Sequence, residues 1–347
     1  MSTAPLDPDL ETLRRTVTDA GGPRLVDLPV DQVRERVRTG DRLCSAGPGP
    51  AGTDLDPGRD GTPVPLRVYE PDGPPAATLL YAHGGGWVTG DLEYADELCR
   101  HLRHDAGLRV VSVDYRLAPE HPFPAGLEDL DAAHRWVRDR WEGPLAVGGD
   151  SAGGNLAAAL VNRLVARGVA PAAQVLVYPA LGLPGSTPSY GTAADAFPTG
   201  RADMEWFWRH LTAGSDVREP LPDLVPIHAA DLAGSPPTHV VLAAHDPLHD
   251  EGAAYASRLA AAGARVSVAD HPDLCHGFLR FTGASAASRD ARDTLVAAVG
   301  SLCATHPDRL ASGPIDAYDS AQPSGGAPAG RPDRPHERPP HSPRESR

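Results

Sequence analysis

Gly149-Asp150-Ser151-Ala152-Gly153 sits between the short apolar stretch Leu145-Ala146-Val147 and Asn155-Leu156-Ala157-Ala158-Ala159-Leu160-Val161, a strong helix former. A serine at that junction lies on a sharp strand-to-helix turn, which only small flanking residues tolerate. The two flanking glycines remove side chains that would clash there, leaving the hydroxyl exposed at the carboxyl edge of a sheet. Taken alone, the pentapeptide also reads as an ordinary glycine-rich turn. Its companions along the chain argue for a nucleophile.

Upstream, Ala77–His83 reads as a buried strand that empties into His83-Gly84-Gly85-Gly86-Trp87. A nucleophilic serine produces a negative oxygen that must be stabilised, usually by backbone N–H groups aimed at one point. Consecutive glycines let the backbone approach a ligand closely and adopt conformations closed to other residues. A merely flexible loop is the plainer reading of three glycines. The order strand, glycine loop, then strand, serine turn and helix weighs against it.

Serine needs a base to take its proton, and the base needs an acid to orient it. The chain order expected for such a turn is Ser, then Asp or Glu, then His. Thr238–His245 is a clear strand followed at once by Asp246-Pro247-Leu248, and the strand Arg265–Ala269 leads to Cys275-His276-Gly277-Phe278. With 15 histidines in the chain, position singles out His276, the last before the C-terminal helix and in a glycine-containing loop. Asp250 competes for the acid's role, but it precedes a helical stretch and reads better as that helix's N-cap.

The chain resembles the bacterial hormone-sensitive-lipase-like esterases. The resemblance rests on His83-Gly84-Gly85-Gly86, Gly149-Asp150-Ser151-Ala152-Gly153-Gly154, Asp246-Pro247-Leu248, His276-Gly277-Phe278 and the stretch Asp114–Ala125. It implies an α/β-hydrolase fold, a doubly wound and mostly parallel sheet with a helical cap. It implies Ser151, Asp246 and His276 as catalytic triad and the N–H groups of Gly84, Gly85 and Ala152 as oxyanion hole. Asp150 would help hold the turn. The activity implied is hydrolysis of carboxylic esters, with neither metal nor cofactor. An amidase or arylformamidase would use the same triad, and a catalytically dead small-molecule receptor on this scaffold is a third reading. Such receptors commonly lose the base or the nucleophile, and both stand here.

Composition agrees. Thirty-two Arg (the chain has no lysine) stand against 46 Asp and Glu, a formal net charge of −14. That balance argues against nucleic acid and anionic membrane surfaces as partners and leaves a small-molecule ester as the expected one. A homodimer is left open. Cys44, Cys99, Cys275 and Cys303 show no metal-ligand spacing and no disulfide framework, so they read as reduced thiols of a cytoplasmic protein. Met1–Pro8 lacks a signal-peptide pattern, and no apolar run approaches a membrane span.

Strands and helices alternate from about residue 64 to 303, the pattern of a doubly wound sheet. Strands are expected at Leu66–Glu70, Ala77–His83, Arg109–Tyr115, Leu145–Gly149, Ala173–Tyr178, Thr238–His245 and Arg265–Ala269, and helices at Asp91–Asp105, Gly126–Arg140, Ala152–Arg167, Glu251–Ala262 and Ser285–Ala304. The expected organisation is an N-terminal cap segment (1–40), a catalytic domain (41–311) with a cap insertion (about 181–232), and a tail (312–347). The tail, rich in Pro and Arg, has too little apolar surface to offset its ordering entropy. Trp87, Trp206 and Phe207 are candidates to line the acyl pocket, as is Trp208; for the three consecutive aromatics Trp206–Trp208, packing of the cap onto the core is the plainer role. The cap candidates carry many charges: Asp7, Asp9, Glu11, Arg14, Arg15, Asp203, Glu205 and Arg209. Such a cap suits soluble esters with acyl chains of about two to eight carbons better than a lipid droplet.

Overall fold

The computed structural model describes residues 4–40, 43–213 and 221–304; the tail expected from residue 312 lies outside them. Two helices, α1 (Pro8–Ala20) and α2 (Val30–Gly40), precede strand β1 (Thr53–Leu55) and the single turn α3 (Pro57–Asp60). Then follow β2 (Leu66–Tyr69), β3 (Thr78–Ala82), α4 (Asp96–His104), β4 (Arg109–Val113), α5 (Ala125–Arg140), β5 (Leu145–Asp150), α6 (Ala152–Ala166) and β6 (Ala173–Val177). After α7 (Ser189–Thr192) and α8 (Arg201–Leu211) come β7 (Thr238–His245), α9 (His249–Ala261), β8 (Val266–Cys275) and α10 (Ala286–Ala304).

The eight strands form one sheet in the order β1-β2-β4-β3-β5-β6-β7-β8. The pairings β1–β2 and β2–β4 are antiparallel, and every other pairing is parallel. Side chains alternate across a strand, so β3 feeds two cores. Leu80 and Ala82 join the cluster of Leu127, Leu130, Leu156 and Leu160 from α5 and α6, while Leu79 and Tyr81 join that of Leu98, Leu102, Leu295 and Val299 from α4 and α10. Helices on both faces explain why β3, β5 and β6 are buried throughout, with no polar alternation. Parallel strands also deliver their ends to one edge: β3, β5, β7 and β8 release the four motifs there, with Ala82 in register with Gly149.

Among the elements that depart from the sequence expectation, three have a plain physical reason. β8 runs ten residues to Cys275, past Pro272, with an irregularity opposite Ala243–His245, where its extra residues between His271 and Cys275 bulge. It is an edge strand, where polar alternation and a proline are tolerated. β1 is a second, three-residue edge strand with two exposed residues. α4 begins at Asp96 because Asp91 folds the preceding residues into a turn, accepting the Glu93 and Tyr94 N–H groups. Among the described residues no helix is long and apolar enough to cross a membrane.

Candidate active site

Ser151 stands between β5 and α6 with φ 53° and ψ −117°, in the left-handed half of the backbone map. Such strain persists only where the surroundings over-determine it. Here the Ser151 N–H donates to Val177 O, and Ser151 O accepts from the N–H groups of Asn155 and Ala180. Gly153 admits no side chain, since a Cβ would lie 2.0 Å from Ala82 O. The turn is thereby pressed onto the end of β3.

Ser151, Asp246 and His276 come together. Ser151 Oγ is 2.9 Å from His276 Nε2, and His276 Nδ1 is 2.7 Å from Asp246 Oδ2. All three are buried, and Asp246 Oδ1 also accepts the Leu248 N–H at 2.7 Å. A carboxylate accepts only, so Nδ1 carries the proton and Nε2 is left to receive one from the serine. Asp250 is neither the acid nor a helix cap. α9 begins earlier, at His249, placing Asp250 in its first turn, where Oδ2 accepts the Ser189 N–H at 2.9 Å.

The oxyanion assignment needs one correction. The Gly84 N–H donates to Asp150 Oδ1 at 2.9 Å, so it is spent. The carbonyls around it explain where the next donors go, because in a trans peptide N–H and C=O point in opposite directions. His83 O accepts from the Tyr115 hydroxyl at 2.8 Å, Gly84 O from His83 Nδ1 at 2.7 Å, and Gly85 O from the Thr89 N–H and hydroxyl at 2.9 Å each. The last two fix the Gly85 and Gly86 N–H groups, which have no partner among the described residues, and both glycines line the cavity of Ser151 and His276. Ala152, opening α6, likewise has an N–H without an intrahelical partner. His83 is fully buried, which depresses it to about 4 and keeps it neutral.

That cavity measures about 420 Å³. The glycine loop, Ser151, His276 and Arg280 form its base; Leu13, Val17, Val33 and Val37 of the N-terminal helices, residues 194–200 and 202–204, and Phe207 cover it. Of the candidate lining aromatics only Phe207 takes part, its ring so close to Gly86 that a Cβ there would come within 2.3 Å. Trp87 and Trp206, expected as lining residues, instead pack away from the cavity: Trp87 meets Trp208 edge-on at 6.2 Å, and Trp206 is buried against Phe207 and His210.

Burial pushes the Asp150 carboxyl up to about 6, with the Tyr81 hydroxyl, His276 and the Gly84 N–H pulling the other way. Burial also lifts Glu251, behind the acid loop, to about 8; its Oε1 accepts the Leu181 N–H at 2.7 Å. Nothing in the sequence marks this residue, since a glutamate in the first turn of a helix reads as an ordinary solvated charge. Cys275 is a buried thiol held far above its usual range.

Comparison with known proteins places these features in a lineage. A family model described as the α/β hydrolase fold matches residues 79–280. The chain is 39% identical over 313 residues to the carboxylic ester hydrolase LipN of Mycobacterium tuberculosis, covering 85% of this chain and 82% of that protein. It is 39% identical over 235 residues to an ethyl acetate hydrolase of Pseudomonas putida, covering 64% and 73% of the two chains. Among solved structures, an esterase of Pyrobaculum calidifontis superposes with a TM-score of 0.78 at 36% identity, covering 86% of this chain and all of that one.

Proposed function

The chain belongs to the hormone-sensitive-lipase-like esterases of the α/β-hydrolase fold and is a carboxylic ester hydrolase; on that premise we propose that Ser151, His276 and Asp246 cleave soluble short- to medium-chain esters through an acyl-enzyme. Ser151 Oγ attacks the ester carbonyl while its proton passes to His276 Nε2. The tetrahedral oxyanion receives hydrogen bonds from the N–H groups of Gly85, Gly86 and Ala152. Collapse breaks the bond to the alcohol, which leaves with the proton from His276. A water, deprotonated by the same nitrogen, then releases the acid and restores Ser151. Asp246 holds the imidazole tautomer and stabilises its cation.

The observation that carries this reading is the unbroken relay of 2.9 Å and 2.7 Å at the base of the cavity. The chain-length limit is supported by the cavity volume of about 420 Å³ and by Phe207 on its wall. α1 and α2 bury only Leu10 and Val33 and expose charged residues, a surface poorly suited to adsorb on lipid. A cytoplasmic location is part of the reading, supported by the buried thiols Cys99, Cys275 and Cys303.

The test is turnover of p-nitrophenyl acetate, butyrate, octanoate and palmitate, with and without an emulsified triglyceride. Acetate to octanoate should dominate, with no activation by the emulsion. Faster turnover of palmitate than butyrate, with activation at the emulsion surface, would identify a lipase and overturn the reading.

A further inference from the structure

We propose that Asp150 is the positioning residue of the oxyanion loop: with one internal water, its carboxylate holds the Gly84 peptide so that Gly85 and Gly86 present their N–H groups to the reacting carbonyl. The inference rests on the triad reading above and deepens it.

Of the peptides in the glycine loop, the one joining His83 to Gly84 is clamped at both ends. Its carbonyl accepts from Tyr115 and its N–H donates to Asp150 Oδ1, which also accepts the Tyr81 hydroxyl at 3.0 Å. Asp150 is covalently next to Ser151. One residue therefore ties the loop that bears the donors to the turn that bears the nucleophile. The approach is tight, since a Cβ on Gly84 would lie 2.3 Å from Asp150 Oδ2.

That second oxygen points to a bound molecule. Asp150 Oδ2 and the Tyr178 hydroxyl are buried with no protein partner, an arrangement that is costly unless a further group satisfies both. Both residues line a cavity of about 20 Å³, along with Tyr81, Tyr94, Leu279 and Arg280. A water needs roughly 10–15 Å³ and at least two polar partners. One water fits, donating to Asp150 Oδ2 and accepting from Tyr178. The Tyr178 ring in turn stands edge-on to His276 with centroids 5.0 Å apart, so this cavity lies directly behind the relay.

The experiment compares Asp150→Ala and Asp150→Asn in the full chain, with rates expressed per active serine counted by titration with a p-nitrophenyl phosphonate. Asp150→Ala should lower kcat on the order of 10²-fold, close to the loss of one oxyanion donor. KM for p-nitrophenyl butyrate should stay within about threefold. Affinity for a trifluoromethyl ketone, whose hemiketal oxygen occupies the hole, should fall in parallel with kcat/KM. Asp150→Asn keeps a carbonyl acceptor for Gly84 and should recover most of the loss; Asp150→Ser replaces Asp150→Ala if the latter does not fold. Unchanged kcat per titrated serine, with only the Tm or the number of titratable sites reduced, would overturn the proposal. Ser151→Ala separates the two readings: if it stays active the triad reading fails, and if it is dead while Asp150→Ala keeps full kcat, only this inference fails. A high-resolution crystal structure should show one ordered water bonded to Asp150 and Tyr178; a dry cavity would overturn the water's part.

Discussion

The base of the cavity is pinned by hydrogen bonds between buried groups, whereas its cover rests on scattered apolar side chains under a charged surface. At the base, the strained Ser151, three clamped carbonyls of the glycine loop and the His276–Asp246 pair leave each reacting group one direction in which to point. In the cover, α1 buries Leu10 alone and α2 buries Val33 alone, and their remaining residues are at least partly exposed. Chemistry demands placement to fractions of an ångström, while selection of an acyl chain demands only a volume. Substitutions in the base should therefore strike kcat, and those in the cover should redistribute substrates.

The sharpest break comes at the nucleophile. Ser151→Ala should lose on the order of 10⁴-fold or more in kcat while remaining folded, read from ester turnover and circular dichroism side by side. Next is Gly85→Ala. Gly85 has φ 110°, and a Cβ would lie 2.3 Å from Thr89 O, so the loop must shift. A fall in kcat of about 10²–10³-fold is expected, in the range of a lost oxyanion donor. A change confined to KM would place the donors elsewhere.

Phe207→Ala probes the cover. Removing the ring over Gly86 should raise the octanoate-to-butyrate ratio of kcat/KM by about tenfold, the scale of one methylene in an apolar pocket. Trp206→Phe, beside it in sequence but packed away from the cavity, should leave that ratio unchanged and lower Tm instead. Equal shifts in both variants would erase the distinction drawn between these neighbours.

The smallest effect is thermal. Glu251 is held near 8 against an ordinary 4.5, chiefly by burial, with the Asp246 charge acting the same way and the Gly182 and Leu181 N–H groups opposing. A carboxyl raised on folding gives stability that is complete below its unfolded value and is lost as pH rises through its folded value. Wild-type Tm should thus fall relative to Glu251→Gln between pH 4.5 and about 8, and level off above. Parallel Tm curves for the two proteins would show that Glu251 is not buried as a neutral acid.

Much of the base was legible in the chain because each motif follows a strand, and parallel strands deliver their ends to one edge. The meeting of Ser151, His276 and Asp246 needed only that rule. Which N–H groups of the loop stay free was not legible: Tyr115 and Asp150, distant in sequence, spend the first peptide of the loop and leave those of Gly85 and Gly86 as the proposed donors. Nor could three consecutive aromatics reveal that Phe207 alone faces the cavity, since a helix turns each neighbour by about 100° and the sequence does not say which face is covered. β8 ran past its expected end for a related reason. Its polar residues lie on an edge strand, where burial no longer imposes an apolar run.

The claim at the centre is that Ser151 carries the acyl group. Rapid acid quench of the enzyme turning over p-nitrophenyl acetate, followed by peptide mapping in a mass spectrometer, measures this directly. A single acetyl group on the peptide containing Ser151, formed at a rate no slower than kcat and absent in Ser151→Ala, is the predicted result. An acetyl group on another residue, or turnover with no covalent intermediate in a variant that still releases p-nitrophenol, would contradict it.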